Sequence, residues 1–272
     1  MTDATLGPEV VDITVEAFIG GWVEAVQAGR GHHRAGLEAV LLGAALGADF
    51  SGALVDLGAG SGVAGLVAAA RCANARVALV DRDETAIACA RAALLRPANR
   101  IFAGRVTVID ADIASGEAAR IAAGLGPASA DAIVTNPPFN FATRGTVSPG
   151  AARASAHTLE AGGLDLWLRA AASLLKPTGE LVIVFRASGL GEILSAAANR
   201  LGALDILPIH PRRDEPAHRV LVRGIKGSRG QSRLLPPLVL HGDTGNAYMP
   251  AVERMLRDGA GLAEIHPPWT RE

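Results

Sequence analysis

Short apolar runs alternate with longer alanine- and leucine-rich stretches through the middle of the chain. The runs are Ala53–Asp56, Arg76–Asp81, Arg105–Ile109, Asp131–Thr135 and Glu180–Phe185, each four to six residues long and rich in valine and isoleucine. Runs of that kind suit strands buried on both faces. The stretches between them, Val63–Ala73, Glu84–Leu95, Ser115–Ala123 and Leu164–Leu175, have helical length and composition. Strand and helix in alternation predict an α/β fold, a parallel sheet with helices on both faces. After Arg186 the pattern changes. Ala203–His210 and Arg219–Ile225 read as two strands joined only by Pro211–Ala217, a hairpin that brings an antiparallel strand into the sheet. Arg34–Leu46 reads as a helix ahead of the first strand. Residues 1–33 then form an N-terminal extension, 34–242 the main domain and 243–272 a C-terminal extension. The longest loop candidate, Asn140–Gly163, exceeds the roughly 12–15 residues beyond which loops are usually functional or mobile.

Composition narrows the class. The chain has 272 residues, 49% apolar and 19% charged, with a net charge of −1. With a mean hydropathy of +0.27 it is neither disordered nor a globally basic nucleic-acid coat, although a local basic patch remains open. Its two cysteines, Cys72 and Cys89, build no disulfide framework and no zinc site. They read as buried free thiols, which suits a reducing, cytoplasmic setting. The longest apolar stretch, Ala39–Ala48, is half the length of a membrane helix, and Met1–Glu9 lacks the basic and apolar regions of an export signal. Neither a membrane partner nor a metal is expected.

Three features point to a nucleotide-like cofactor. Asp56-Leu57-Gly58-Ala59-Gly60-Ser61-Gly62 follows the first strand and opens the helix after it, so glycines let the backbone turn sharply and approach a ligand. Gly60, Gly62 and Gly65 also match the spacing of dinucleotide sites, but the acid two residues ahead of Gly58 favours S-adenosylmethionine. Asp81, at the end of the second strand, offers two acceptor oxygens to ribose hydroxyls. Asp112, with Asp110 as competitor, follows the third strand and is placed to accept the exocyclic amine of an adenine.

The fourth strand ends in Thr135-Asn136-Pro137-Pro138-Phe139. Asn136 offers a side-chain carbonyl, and Pro137 only a backbone carbonyl in a rigid frame. Two acceptors on a stiff turn suit a planar amino group with two N–H bonds. Phe139 adds a flat surface for a base, a stack worth roughly 1–3 kcal/mol.

With these motifs the chain resembles class I S-adenosylmethionine-dependent methyltransferases of the N-P-P-(F/Y) amino-methylase type. It is similar, more narrowly, to the bacterial tRNA(Val) adenine-N6 methyltransferase family. That likeness runs through Phe18-Ile19-Gly20-Gly21, Gln27, Gly31–Leu42, Arg144-Gly145, Ser148-Pro149 and Pro236–His241. Glu38 stands where the family is expected to carry Asp. The resemblance implies a Rossmann-like, mostly parallel, seven-stranded sheet with one antiparallel strand near its C-terminal edge. It implies that Asn136, Pro137 and Phe139 are catalytic, and that Asp56, Gly58, Gly60, Gly62, Asp81 and Asp112 hold the cofactor. The helix opening near Arg34 would lid it, with Arg34 reaching the cofactor carboxylate.

A nucleic-acid acceptor needs positive charge nearby. Between Arg212 and Arg233 lie seven basic residues (Arg212, Arg213, Arg219, Arg223, Lys226, Arg229 and Arg233) against Asp214 and Glu215. Such a patch positions phosphates. Pro138, Arg144, Arg212, Arg213 and Arg219 are the expected substrate contacts, and tRNA or another RNA the expected partner. The rivals are a protein glutamine N5-methyltransferase, a small-molecule N- or O-methyltransferase and, more remotely, a nicotinamide oxidoreductase or a non-catalytic RNA-binding module. The oxidoreductase explains Gly60–Gly65 and Asp81 but leaves Asn136–Phe139 without a role.

Overall fold

A computed structural model describes residues 13–29, 34–138, 140–142, 158–160 and 163–271. Its centre is a parallel sheet built from β3 (Ser51–Leu57), β4 (Asn74–Asp81), β5 (Val106–Asp110), β6 (Ala130–Thr135) and β9 (Leu175–Arg186). The hairpin strands β10 (Leu201–His210) and β11 (Arg219–Lys226) complete the order β10-β11-β9-β6-β3-β4-β5. β11 runs antiparallel to both neighbours, as the absence of a crossover helix between β10 and β11 requires. Two short strands, β12 (Arg233–Leu234) and β13 (Leu238–Val239), add to the outer edge of β10 and raise the sheet from the expected seven strands to nine.

Side-chain alternation on the strands separates two cores. On β9, Val182 and Val184 face one, while Leu181, Ile183 and Phe185 face the other. The first core is covered by α1 (Leu37–Ala44), α2 (Val63–Arg71) and α3 (Glu84–Leu94). The short helices α4 (Arg100–Ala103) and α5 (Glu117–Ala122) flank β5. The second core is covered by α6 (Gly163–Leu174) and α7 (Leu190–Ala197). Helix α7 connects β9 to β10 and has no counterpart in the sequence reading.

The two extensions are tied to the domain. Residues 13–28 form a hairpin, β1 (Ile13–Phe18) with β2 (Val23–Ala28), whose Glu24 backbone is gripped by the buried Asn99 side chain through bonds of 3.0 and 2.7 Å. At the other end, α8 (Pro250–Asp258) and α9 (Leu262–Ile265) lead to Trp269, which is buried and donates through Nε1 to the carbonyl of Ala45 at 2.8 Å. Arg71, also buried, donates to the carbonyls of Gly43, Leu46 and Gly259. The helix expected from Arg34 starts at Leu37 instead, with Gly36 non-helical at its N-cap. Most of the Asn140–Gly163 loop lies outside the described residues. Its described parts are β7 (Asn140–Ala142) and β8 (Thr158–Glu160), which pair in parallel. Among the described residues no helix is long and apolar enough to cross a membrane.

Candidate active site

The carboxyl ends of β3, β4, β5 and β6 converge on one cavity of about 430 Å³. Open α/β sheets bind ligands at this edge. Each strand contributes its own tip: Gly58 and Gly60 from β3, Asp81 from β4, Asp112 from β5, and Asn136–Pro138 from β6. Helix α1 supplies a wall through Glu38, Ala39 and Leu42, and α6 a further one through Trp167.

The glycine turn is shaped by positive φ at Gly58, Gly60 and Gly62 (72°, 55° and 85°), where a side chain is strained. The amides of Gly58 and Ala59 both donate to the Val80 carbonyl at 2.9 Å, pinning the turn to the tip of β4. Gly62 is absent from the cavity wall, contrary to its expected cofactor contact. It stands at the start of α2, where a Cβ would come within 2.7 Å of Leu79, so it serves the seating of the helix on the sheet.

Two carboxylates behave differently. Asp56 is 2% exposed and accepts the Gly65 amide at 2.8 Å. Burial pushes its pKa up to about 7, against the lowering effect of that amide and with help from the charge of Asp81. Asp81 accepts three backbone amides, Gly60 at 2.7 Å on Oδ2, and Arg82 and Asp83 at 2.7 and 3.0 Å on Oδ1. A carboxylate has about four lone-pair sites, so one acceptor site is left, on Oδ2, rather than the two that a clamp on both ribose hydroxyls needs.

Of the two competing acids after β5, Asp112 lines the cavity and Asp110 does not. Asp112 caps its own turn through the Ala114 amide at 2.8 Å and pairs with Arg82 at 3.2 Å. Arg34 departs from expectation. Its guanidinium bonds Thr14 at 3.1 Å and pairs with Glu16 on β1, and it is no part of the cavity wall. Opposite charge within reach on the hairpin holds it there.

The β6 corner is the chemically open part. Asn136 Oδ1 is buried with no hydrogen-bond partner, one of only two such side-chain atoms among the described residues. Buried acceptors are seldom left unmatched, and Asn136 belongs to the cavity wall, so this orphan marks where a ligand donor belongs. Pro137 is buried beside it and Pro138 half-buried. Phe139 and Arg144 lie outside the described residues. S-adenosylmethionine fits this cavity on the donor set present: an acid at the tip of β4, a close glycine turn, and the buried Asp56, whose charge a cationic ligand would favour. Among the described residues no group of three or more His, Cys, Asp or Glu side chains is placed to hold a metal.

The basic segment divides. Arg219 faces Arg186 at the carboxyl end of β9, so Arg212, Arg213 and Arg219 sit on the cavity's edge of the sheet. Arg212 bonds Glu215 at 2.9 Å, and Arg219 bonds the cavity-lining Glu38 at 3.0 Å. Arg223, Lys226, Arg229 and Arg233 lie back from that edge, Arg223 and Arg233 level with the middle of β10. There Arg223 is buried and Arg233 pairs with Asp205, so neither belongs to a phosphate-binding patch. Trp167 lines the cavity without having been singled out by any motif, and Glu38, noted only as a departure from the expected Asp, lines it too. The apolar face of α6 was legible, but nothing in its spacing aims Trp167 at Gly58.

A model of the family described as methyltransferase small domain matches residues 35–200. The chain is 29% identical over 229 residues to the tRNA1(Val) (adenine(37)-N6)-methyltransferase of Porphyromonas gingivalis, covering 82% of this chain and 86% of that protein. It is 34% identical over 194 residues to the tRNA1(Val) (adenine(37)-N6)-methyltransferase of Aeromonas hydrophila, 70% of this chain and 75% of the relative. Among solved structures, one described as a predicted O-methyltransferase from Agrobacterium tumefaciens superposes with a TM-score of 0.71 at 32% identity, covering 82% of this chain and 97% of that one.

Proposed function

This chain belongs to the methyltransferase small-domain family, and from that premise we propose that it methylates the N6 amino group of an adenine in tRNA. It is an S-adenosylmethionine-dependent methyltransferase. The observation that carries the proposal is the unpartnered, buried Asn136 Oδ1, set beside Pro137 in the wall of the cavity that also holds the glycine turn. The bound cofactor supplies an electrophilic methyl group on a sulfonium, which needs no metal.

The chain's own residues address the weak nucleophile. An adenine amino nitrogen shares its lone pair with the ring. Asn136 Oδ1 and the Pro137 carbonyl accept its two N–H bonds, drawing electron density back to nitrogen as positive charge develops there. Such stabilisation acts on the transition state rather than on binding. Once the amine carried the new methyl, its surplus proton would rest in the bond to Asn136 Oδ1 before passing to water. Phe139 is assigned the stacking surface for the base. An adenine taken from a stacked loop costs a few kcal/mol to swing out.

The acceptor's chemistry separates this reading from O-methylation. A hydroxyl has one hydrogen to give to two acceptors and must lose it to a base, which an amide oxygen cannot be. Arg213, exposed at the cavity's edge beside the ion-paired Arg212 and Arg219, suits a phosphate, which favours RNA over a protein glutamine. The two free thiols suit a reducing cytoplasm. The test is to supply labelled methyl donor with unmodified tRNA, bulk protein and small metabolites, and digest each. Label in N6-methyladenosine is expected. Label confined to protein or to oxygen would overturn the acceptor.

A further inference from the structure

Methyl transfer in line demands that donor and acceptor be held in fixed register, since loss of about 1 Å in alignment is costly. Here the donor side hangs on the tip of β3 and the acceptor side on the tip of β6. The two strands are parallel neighbours, with Leu57 opposite Thr135, one residue before Gly58 and Asn136 respectively. A short chain of bonds locks them. The Thr135 hydroxyl donates to the Leu57 carbonyl at 2.6 Å, and Trp167 Nε1 donates to the same hydroxyl at 2.9 Å. Trp167 also abuts the donor turn: a Cβ on Gly58 would lie 2.8 Å from its ring. It is 9% exposed and part of the cavity wall.

We propose that Trp167 and Thr135 are positioning residues that set the register between the glycine turn and the Asn136–Pro137 corner. The inference rests on the amino-acceptor reading above. The hydroxyl's one hydrogen is committed to Leu57 and it is fully buried away from the cavity wall, so it offers nothing to substrate. Its part is to remove the rotational freedom of the peptide that carries Asn136. Trp167 comes from α6, beyond the loop that follows the corner, so one side chain touches both halves of the reaction and reports on neither strand alone. A tight turn by itself needs no tryptophan, and a buried tryptophan finds acceptors elsewhere. Their convergence on the two residues flanking the reaction is what the packing of a core does not require.

The test uses the full chain with unmodified tRNA and compares Thr135→Val, Thr135→Ser and Trp167→Phe. Thr135→Val keeps the shape and removes both bonds, and Thr135→Ser restores the hydroxyl. Expected for Thr135→Val is a fall in kcat of about 10- to 100-fold, with cofactor Kd and tRNA KM within about threefold of wild type. Thr135→Ser should recover most of the loss, and Trp167→Phe should fall between. A Thr135→Val enzyme with unchanged kcat, or one whose cofactor affinity falls as far as its turnover, overturns the register proposal. So does a Thr135→Ser enzyme no better than Thr135→Val. If wild-type enzyme labels no tRNA adenine, the acceptor reading fails instead, and the same variants measured on the true acceptor still decide the register.

Discussion

Two strands of one sheet treat a buried aspartate in opposite ways. On the central strand β3, Asp56 is 2% exposed, has one backbone donor and, among the described residues, no paired cation, and its pKa is pushed up to about 7. On the outer strand β10, in the same cross-sheet row of residues, Asp205 is 1% exposed and accepts from Arg223, Arg233 and Arg271 at 2.7 Å each. Burial works to raise its pKa too, but the three arginines prevail and hold it down at about 2. Depth is the same and the partners differ. The saturated side of the sheet, at β10, is scaffold: Arg223 stacks on the Trp269 ring at 4.2 Å and Arg233 donates to the Thr270 carbonyl, fixing the C-terminal segment. The unsaturated side, at β3 and β6, holds the orphaned Asn136 Oδ1, the raised acid and the glycine turn. A site is where a fold leaves polar groups unmatched for a ligand to complete.

The largest effect should come from attacking the saturated aspartate. Asp205→Asn leaves buried guanidinium charge uncompensated and should cost about 3–5 kcal/mol, read by denaturant unfolding. The cofactor affinity of the folded fraction should not change. If stability is retained, the contrast between the two aspartates is lost. Next comes Asn136→Ala, expected to lower kcat by about 100-fold while cofactor Kd stays within a few-fold, because its bonds tighten as charge develops. Equal losses in both would make Asn136 a binding residue only.

The third experiment uses pH. A cationic ligand favours ionised Asp56, so cofactor affinity should rise about tenfold between pH 6 and pH 8. Asp56→Asn should flatten that profile. Stability runs the other way at this residue: the folded state holds a proton that the unfolded chain has released, so its contribution declines as pH climbs from about 4 to about 7. For Asp205 the stabilisation is present above about pH 4 and is lost as pH falls through about 2. The smallest effect concerns the surface. Arg212→Glu with Arg213→Glu should weaken tRNA binding and make its salt dependence shallower by about one unit of slope per lost contact. Arg229→Glu, exposed at the far edge, should change neither.

Much of this was legible beforehand. The glycine turn and the Asn136–Pro137 corner are local devices, written in consecutive residues whose backbone geometry follows from glycine and proline. Element order followed from apolar patterning for the same reason, and the β10–β11 hairpin from a connection too short for a crossover. The β1–β2 hairpin carried a signal that went unused, the alternation Ile13-Thr14-Val15-Glu16-Ala17-Phe18. Helix α7 was missed because Gly189 and Gly191 interrupt its opening turn and blur the helical pattern.

What the sequence by itself determined is which strands and helices form, and that an acceptor corner and a donor turn both exist. Only the tertiary structure decided which charges are free to act. A guanidinium's role depends on what stands within a few ångströms of it, and those neighbours come from distant segments. Arg34 went to Glu16, Arg223 and Arg233 to Asp205, and Arg219 to Glu38. Trp167 reached Gly58 and Thr135 only because α6 packs across two strand tips. Local geometry propagates along the chain, whereas electrostatic pairing and contact are settled through space.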